Sequence, residues 1–258
     1  MSQTVVAPAA RPPEIRPVSL ATLKAALRGG WADFRRAPTY GLFFGGVYVL
    51  FGIGLFWLTR ATGQIYWLAL AVFGFPLLGP FTAVGLYEVS RRLEERQPLA
   101  WRGVLGAVWR QKDRQLPSIC AIIVLIFLFW SFIGHMIFAL FLGLSTMTNI
   151  STSYEVFLTA NGLMMLAMGS AVGGALATLT FAITVVGLPL VLDREIDFVT
   201  AMIVSFRTVT TNIRPMALWA LTVAALLFAG MVPLFLGLFV VLPLLGHATW
   251  HLYRRALG

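Results

Sequence analysis

The chain has 258 residues, of which 59% are hydrophobic and 11% charged, and it carries a formal net charge of +9. Soluble domains carry about a quarter charged residues, so this composition excludes a soluble enzyme and a disordered chain, and the single cysteine, Cys120, excludes a disulfide-stapled domain. Nucleic acid is excluded as a partner, because its recognition needs a solvated basic surface with a core of its own, and no segment supplies one.

The charges are unevenly spaced, and the gaps read as membrane spans. Residues 1–17 read as a disordered tail ahead of a single membrane domain, 18–258, with no apolar run of signal-peptide length before Tyr40. A bilayer core takes roughly 20 helical residues. The charge-free windows therefore predict spans at about 40–59, 65–87, 118–144, 162–192, 215–231 and 233–253. The polar stretch Ser145 to Ser153 ends the third span, and Gly230-Met231-Val232-Pro233 divides the last window into a hairpin. The fold class is an all-α, polytopic bundle of six transmembrane helices. Of the 19 basic residues, 18 fall on one side of this scheme and only Arg60 on the other. The positive-inside rule then places both termini in the cytoplasm of a bacterial inner membrane.

Ahead of each odd-numbered span lies a basic amphipathic segment closed by Pro38, Pro117 or Pro215. The first has Leu20, Leu23, Leu27, Trp31 and Phe34 at helical spacing. The second has Trp101, Val104, Leu105, Val108 and Trp109 before Arg110, Lys112 and Arg114, and the third has Ile196, Val199, Ile203, Phe206 and Ile213. These predict three repeats of interfacial helix, span, span. In the second, Trp101, Trp109, Arg110, Lys112 and Arg114 sit at the headgroup level. Such helices either form a collar that binds lipid or a partner, or only position the span that follows.

Within the spans, Pro76, Pro189 and Pro243 predict kinks. Small residues predict close helix approach at Gly41 and Gly45 of the first span and at Gly169, Ser170, Gly173 and Gly174 of the fourth, which should be central to the bundle. The spans contain no Asp, Glu, Lys or Arg, and Glu88 and Asp193 fall at span ends where solvated charges sit. That argues against a proton-coupled carrier. His247 and His251 share one helix face and are the candidate metal ligands, but no third ligand accompanies them. His135 lies on the order of 10 to 15 Å away in depth, too far to share a haem with His247. The two histidines read instead as interfacial groups bonded to water, carbonyls or lipid phosphate. No phosphate loop, nucleophile elbow or metalloprotease helix occurs, so neither catalysis nor a cofactor is expected.

The order of Asp193-Arg194 through Ser205, then Pro215 to Ala220, then Leu242 to Arg255 with its Leu-Pro-Leu-Leu-Gly-His and Tyr-Arg-Arg words, resembles a family of proteobacterial inner-membrane proteins known only as a domain of unknown function. The resemblance covers about Arg16 to Arg255 and implies an inner-membrane location and six spans without an activity. A cytochrome oxidase label sometimes given to that family demands more histidine ligands than the three present. The sequence thus predicts a non-catalytic accessory or assembly subunit whose partners are membrane lipids and other membrane helices, in a larger complex or a homo-oligomer. The alternatives are a passive carrier for an apolar or lipid-like substrate, and a membrane haem or metal protein.

Overall fold

The computed structural model describes residues 13–63, 68–143, 154–233 and 235–258, with side chains beyond 68–78 and Tyr154. Gln64, the polar stretch 145–153 and the ring of Pro76 therefore lie outside the described residues. The described chain is helical, and its breaks fall where the local chemistry demands them. Helix α1, Leu20–Arg36, starts at Ser19, whose side chain and that of Thr22 form a reciprocal cap. It stops before Pro38, which has no N–H to continue a ladder and which opens α2, Pro38–Thr62. Gly63, at φ +66°, ends α2 in the left-handed conformation that glycine adopts freely.

Helix α3 (Leu68–Glu94) is followed by α4 (Trp101–Arg110), a 3-10 turn over Gln111–Asp113, and α5 (Leu116–Leu142). Helix α6 (Ala160–Thr184) is capped by the Thr159 hydroxyl, which accepts from Gly162 N at 3.1 Å. A break at Val185–Val186 separates it from α7, Gly187–Asp193. Pro189 explains the break, since it cannot donate to the Val185 carbonyl four residues back. It therefore interrupts the fourth predicted span rather than bending its middle. Helix α8 (Phe198–Thr211) begins at Asp197, whose carboxylate accepts from Thr200 N at 2.9 Å, and bonding to the Thr200 hydroxyl first and its N–H second holds the carboxyl pKa below the ordinary value. Helices α9 (Ile213–Met231) and α10 (Leu238–Ala256) close the chain.

Four stretches among the described residues are long and apolar enough to cross a membrane: Pro38–Thr62, Leu116–Leu142, Ala160–Asp193 and Ile213–Met231. Helices α3 and α10 have 27 and 19 residues, and α10 carries two histidines and two arginines in its last turns.

The main core lies at one end of the bundle, where Val84 and Tyr87 of α3, Leu190 of α7, Trp219 of α9, and Trp250, Leu252 and Tyr253 of α10 are buried together. Helix α10 is its hub, packing on α1, α2, α3, α7 and α9. The close approaches are made by glycines. A Cβ on Gly30 of α1 would stand 2.5 Å from the Ala248 backbone nitrogen, and Cβ atoms on Gly41 and Gly45 of α2 would meet Pro243 at 2.9 and 3.1 Å. Pro243 lies inside α10 and turns its ring to these two glycines. Away from this end Phe129, Phe132 and Leu140 of α5, Met164 of α6, and Leu221 and Phe228 of α9 are exposed.

Three expectations change. The fourth span is central through its second part, where Ala182, Val185, Val186 and α7 are buried in the main core, but not through its small-residue part: the open space around Gly169 and Gly174 leaves Gly173 alone in close contact, with the Trp130 ring. Helix α1 lays its buried face, Leu23, Ala26, Gly30, Asp33 and Phe34, on protein rather than on headgroups. Residues 14–17 are not a free tail, because Ile15 bridges to Leu257 and Arg16 N donates to Ala256 O at 2.8 Å.

Candidate functional site

The polar groups gather in one layer across the core end of the bundle, where α1, α3, α7 and α10 meet. Glu88, nearly two turns from the end of α3, is fully buried. Arg91 Nε donates to its Oε2 at 2.8 Å and Arg92 Nε to its Oε1 at 2.7 Å. Burial of a carboxylate is tolerable only when its lone pairs are taken, and two guanidinium groups on the same helix take them. The bond to Glu88 raises the Arg91 pKa above its ordinary value. Glu94 accepts from Trp250 Nε1 at 3.0 Å and from Arg254 Nε at 3.2 Å, while Asp193 accepts from the Tyr253 hydroxyl at 2.6 Å and from Arg254 at 3.3 Å. Arg254 thus ties α3 to α7. Partial burial pulls its pKa down, but the charges of Glu94 and Asp193 prevail and hold it above the ordinary value.

His247 and His251 do not converge on one point. His247 is fully buried, with Nδ1 at 2.8 Å from the Ser90 hydroxyl. His251 Nε2 lies 2.7 Å from Asp33 Oδ2 on α1. Neither is the solvated interfacial group expected from the sequence, and the described residues hold no group of three or more metal-ligating side chains. The Ser90–His247 contact has the atoms of a nucleophile and base. Both groups are sealed from solvent, however, so the contact locks α3 to α10.

Helix α4 divides its apolar residues between two directions. Val104 and Ala107 are buried, whereas Trp101, Leu105 and Trp109, at i, i+4 and i+8, form an exposed row. Trp101 stacks on Tyr40 with ring centroids 4.1 Å apart. Trp109 is 68% exposed, and Lys112 Nζ sits 4.3 Å from its ring centre. Helix α8 repeats the division, with Ala201, Val204 and Thr208 inside and Val199, Ile203 and Phe206 outside. Arg114 pairs with Glu195 at 3.0 Å, and among the described residues no carboxylate lies within ion-pair distance of Arg110. On the opposite half, Gly169, Ser170, Gly173 and Gly174 line an open apolar cavity of about 390 Å³ with Trp130, so these predicted packing residues border a gap.

Sequence reasoning took the buried Glu88 for a solvated charge and missed Ser90, Asp33 and Gln111. Two signals were available. Glu88 precedes Arg91 and Arg92 at i+3 and i+4, the spacing of same-face pairs. Asp33 falls at helical spacing from Leu23, Ala26 and Gly30, on a face that is otherwise apolar.

The fold and this layer define an all-helical integral membrane protein whose buried charges gather at one end. Residues 67–193, which take in α3 to α7, match a family described as predicted integral membrane protein (DUF2189), a domain of unknown function. The C-terminal words on which the sequence resemblance leaned fall outside that match. No curated protein and no solved structure matches the chain.

Proposed function

We propose that the chain is a non-catalytic inner-membrane protein of six spans, with both termini cytoplasmic, acting as an accessory or assembly subunit that holds lipid and other membrane helices. At 1.5 Å per residue α3 and α10 reach about 40 and 28 Å, near or beyond the thickness of a bilayer core, and they bring the four apolar stretches to six. The sequence of a short amphipathic helix and two long ones recurs from α1, α4 and α8, which supports three repeated units.

The observation that carries the reading is the second apolar row on α4 and α8. Trp101, Leu105 and Trp109, and Val199, Ile203 and Phe206, point away from the core beside arginines and Lys112. Exposed rows of this kind are costly in water and suit a headgroup layer or a partner helix. The buried acids, by contrast, are each engaged by neighbours within the chain, which suits a scaffold better than a reaction centre.

Extraction in a gentle detergent followed by native mass measurement tests the subunit role. The expected result is a discrete assembly holding this chain and a second membrane protein at fixed stoichiometry. A single chain that carries lipid alone, under conditions that preserve known complexes of the same membrane, would overturn it.

A further inference from the structure

Between α3, α4 and α7 lies a cavity of about 180 Å³, lined by Glu88, Arg91, Arg110, Gln111, Arg114 and Leu192. That is room for on the order of six waters, the scale of a phosphate with a small substituent. Three guanidinium groups face one carboxylate. That carboxylate is already spent, because Arg91 and Arg92 occupy both oxygens of Glu88. Arg114 has only an exposed partner, Glu195, and Arg110 has no acidic partner among the described residues. The cavity therefore holds a positive surplus that no acid of its own lining offsets.

Gln111 supplies the independent observation. Its residue is only 3% exposed, it lines this cavity, and its Oε1 has no hydrogen-bond donor. A buried acceptor left unpaired costs about 1–3 kcal/mol, and such a group calls for a donor from a ligand. The cavity lined by Asp33, Glu94, His251 and Arg254 offers no such orphan, since its acids are bound to neighbours. Guanidinium groups with a lone acceptor among them define a complementary ligand: an anion for the arginines, with an O–H donor close by for Gln111.

We propose that this cavity binds a phosphate group bearing a neighbouring hydroxyl, the chemistry presented by the headgroup of phosphatidylglycerol. The assignment deepens the lipid-holding reading above and rests on it, since the exposed Trp101–Leu105–Trp109 row of α4 is what brings the cavity to headgroup level. Arginine holds phosphate through paired N–H donors, and the orphan amide oxygen accepts from the hydroxyl. The pairing of Glu88 keeps the one acid in the wall from repelling the anion.

The test uses the full chain, purified, stripped of lipid and offered phosphatidylglycerol, phosphatidylmethanol or phosphatidylcholine, with bound lipid counted by native mass measurement. Wild type should retain one phosphatidylglycerol about tenfold more tightly than phosphatidylcholine. Arg110→Gln combined with Arg114→Gln should erase that margin, and Arg110→Gln alone, at a residue with no ion pair to lose, should reduce it without changing the lipid-free melting temperature. Gln111→Leu should abolish the preference for phosphatidylglycerol over phosphatidylmethanol, which has the phosphodiester but no hydroxyl. Displacement by millimolar inorganic phosphate would assign the site to soluble phosphate, and resistance to it would assign the site to lipid. Equal retention of phosphatidylglycerol by wild type and folded arginine variants overturns the site. Loss of all lipid association in a Trp101→Ala, Trp109→Ala variant, with the arginine variants unaffected, would leave the collar standing and remove the cavity.

Discussion

Glu88 shows how a single buried charge organises its surroundings. Its side chain is wholly inaccessible while those of Arg91 and Arg92 are 26% and 15% exposed, so the pair of cations reaches solvent on behalf of an anion that cannot. Removing one partner of such a cluster is worse than never having built it, because the survivors keep their desolvation cost without the attraction that offset it. Glu88→Gln preserves the volume but leaves two guanidinium groups facing a neutral amide. We expect it to lower stability by about 3 kcal/mol, measured by thermal unfolding in detergent, whereas Glu95→Gln, at an exposed acid paired with Arg91 at 3.1 Å, should change stability by less than about 1 kcal/mol. The sequence placed Glu88 at a span end and took it for solvated. A single sequence does not say which helix lies across from a residue, and burial here is conferred by α4 and α7, contributed from elsewhere in the chain.

Helix–helix contacts follow the same logic one level up. Small-residue spacing identifies a helix that permits close approach but not the partner that makes it. On α6 the spacing of Gly169, Gly173 and Gly174 is present, yet open space adjoins two of them and the edge of the Trp130 indole adjoins the third. On α1, Gly29 and Gly30 stand one after the other, in small-xxx-small register with Ala25 and Ala26, and there the packing against His251 and Ala248 is close. The two kinds of contact differ in what must yield. A Cβ on Gly30 meets backbone atoms of Ala248 at 2.5 and 2.8 Å, whereas a Cβ on Gly173 meets the Trp130 ring at 2.9 Å, and the ring can rotate. Alanine in place of glycine also favours a helix by about 1 kcal/mol. Gly30→Ala should therefore destabilise by about 1–2 kcal/mol net of that gain, and Gly173→Ala should be neutral or stabilising. Melting temperatures of the two variants side by side decide it; a larger loss for Gly173→Ala would restore the small-residue part of α6 to the centre of the bundle. The amphipathic pattern of α4 was legible for a related reason and to a related extent. Its periodicity announced a helix with an apolar side, but not that Val104 and Trp109 would be claimed by different neighbours.

At the scale of the whole molecule, charge distribution and chain geometry make the same demand. The two ends of the described chain meet: Ile15 bridges to Leu257, and Gly258 N donates to Glu14 O at 2.9 Å. Chain ends that pair directly lie on one side of a membrane, so the number of crossings between them is even. The charged layer adds the intermediate points, since Arg254 near the end of α10 reaches both Glu94 at the end of α3 and Asp193 at the end of α7, while Arg114 before α5 reaches Glu195 after α7. The return of α3, α7 and α10 to this layer suits the proposed arrangement of three hairpins and six crossings. The six-span scheme read from the sequence puts 18 of 19 basic residues on one side, and the proposed cytoplasmic orientation of the layer rests on the rule that lysine and arginine near span ends are held on the cytoplasmic face. A reporter enzyme active only in the periplasm should therefore be silent when fused after Gly258 and active when inserted after Thr148, between α5 and α6. Insertion after Gln97, between α3 and α4, should be silent as well. Periplasmic activity at Gly258 would separate the paired termini across the membrane, and activity at Gln97 would reverse the first hairpin; either result would break the three-hairpin arrangement on which the collar and its phosphate cavity both depend.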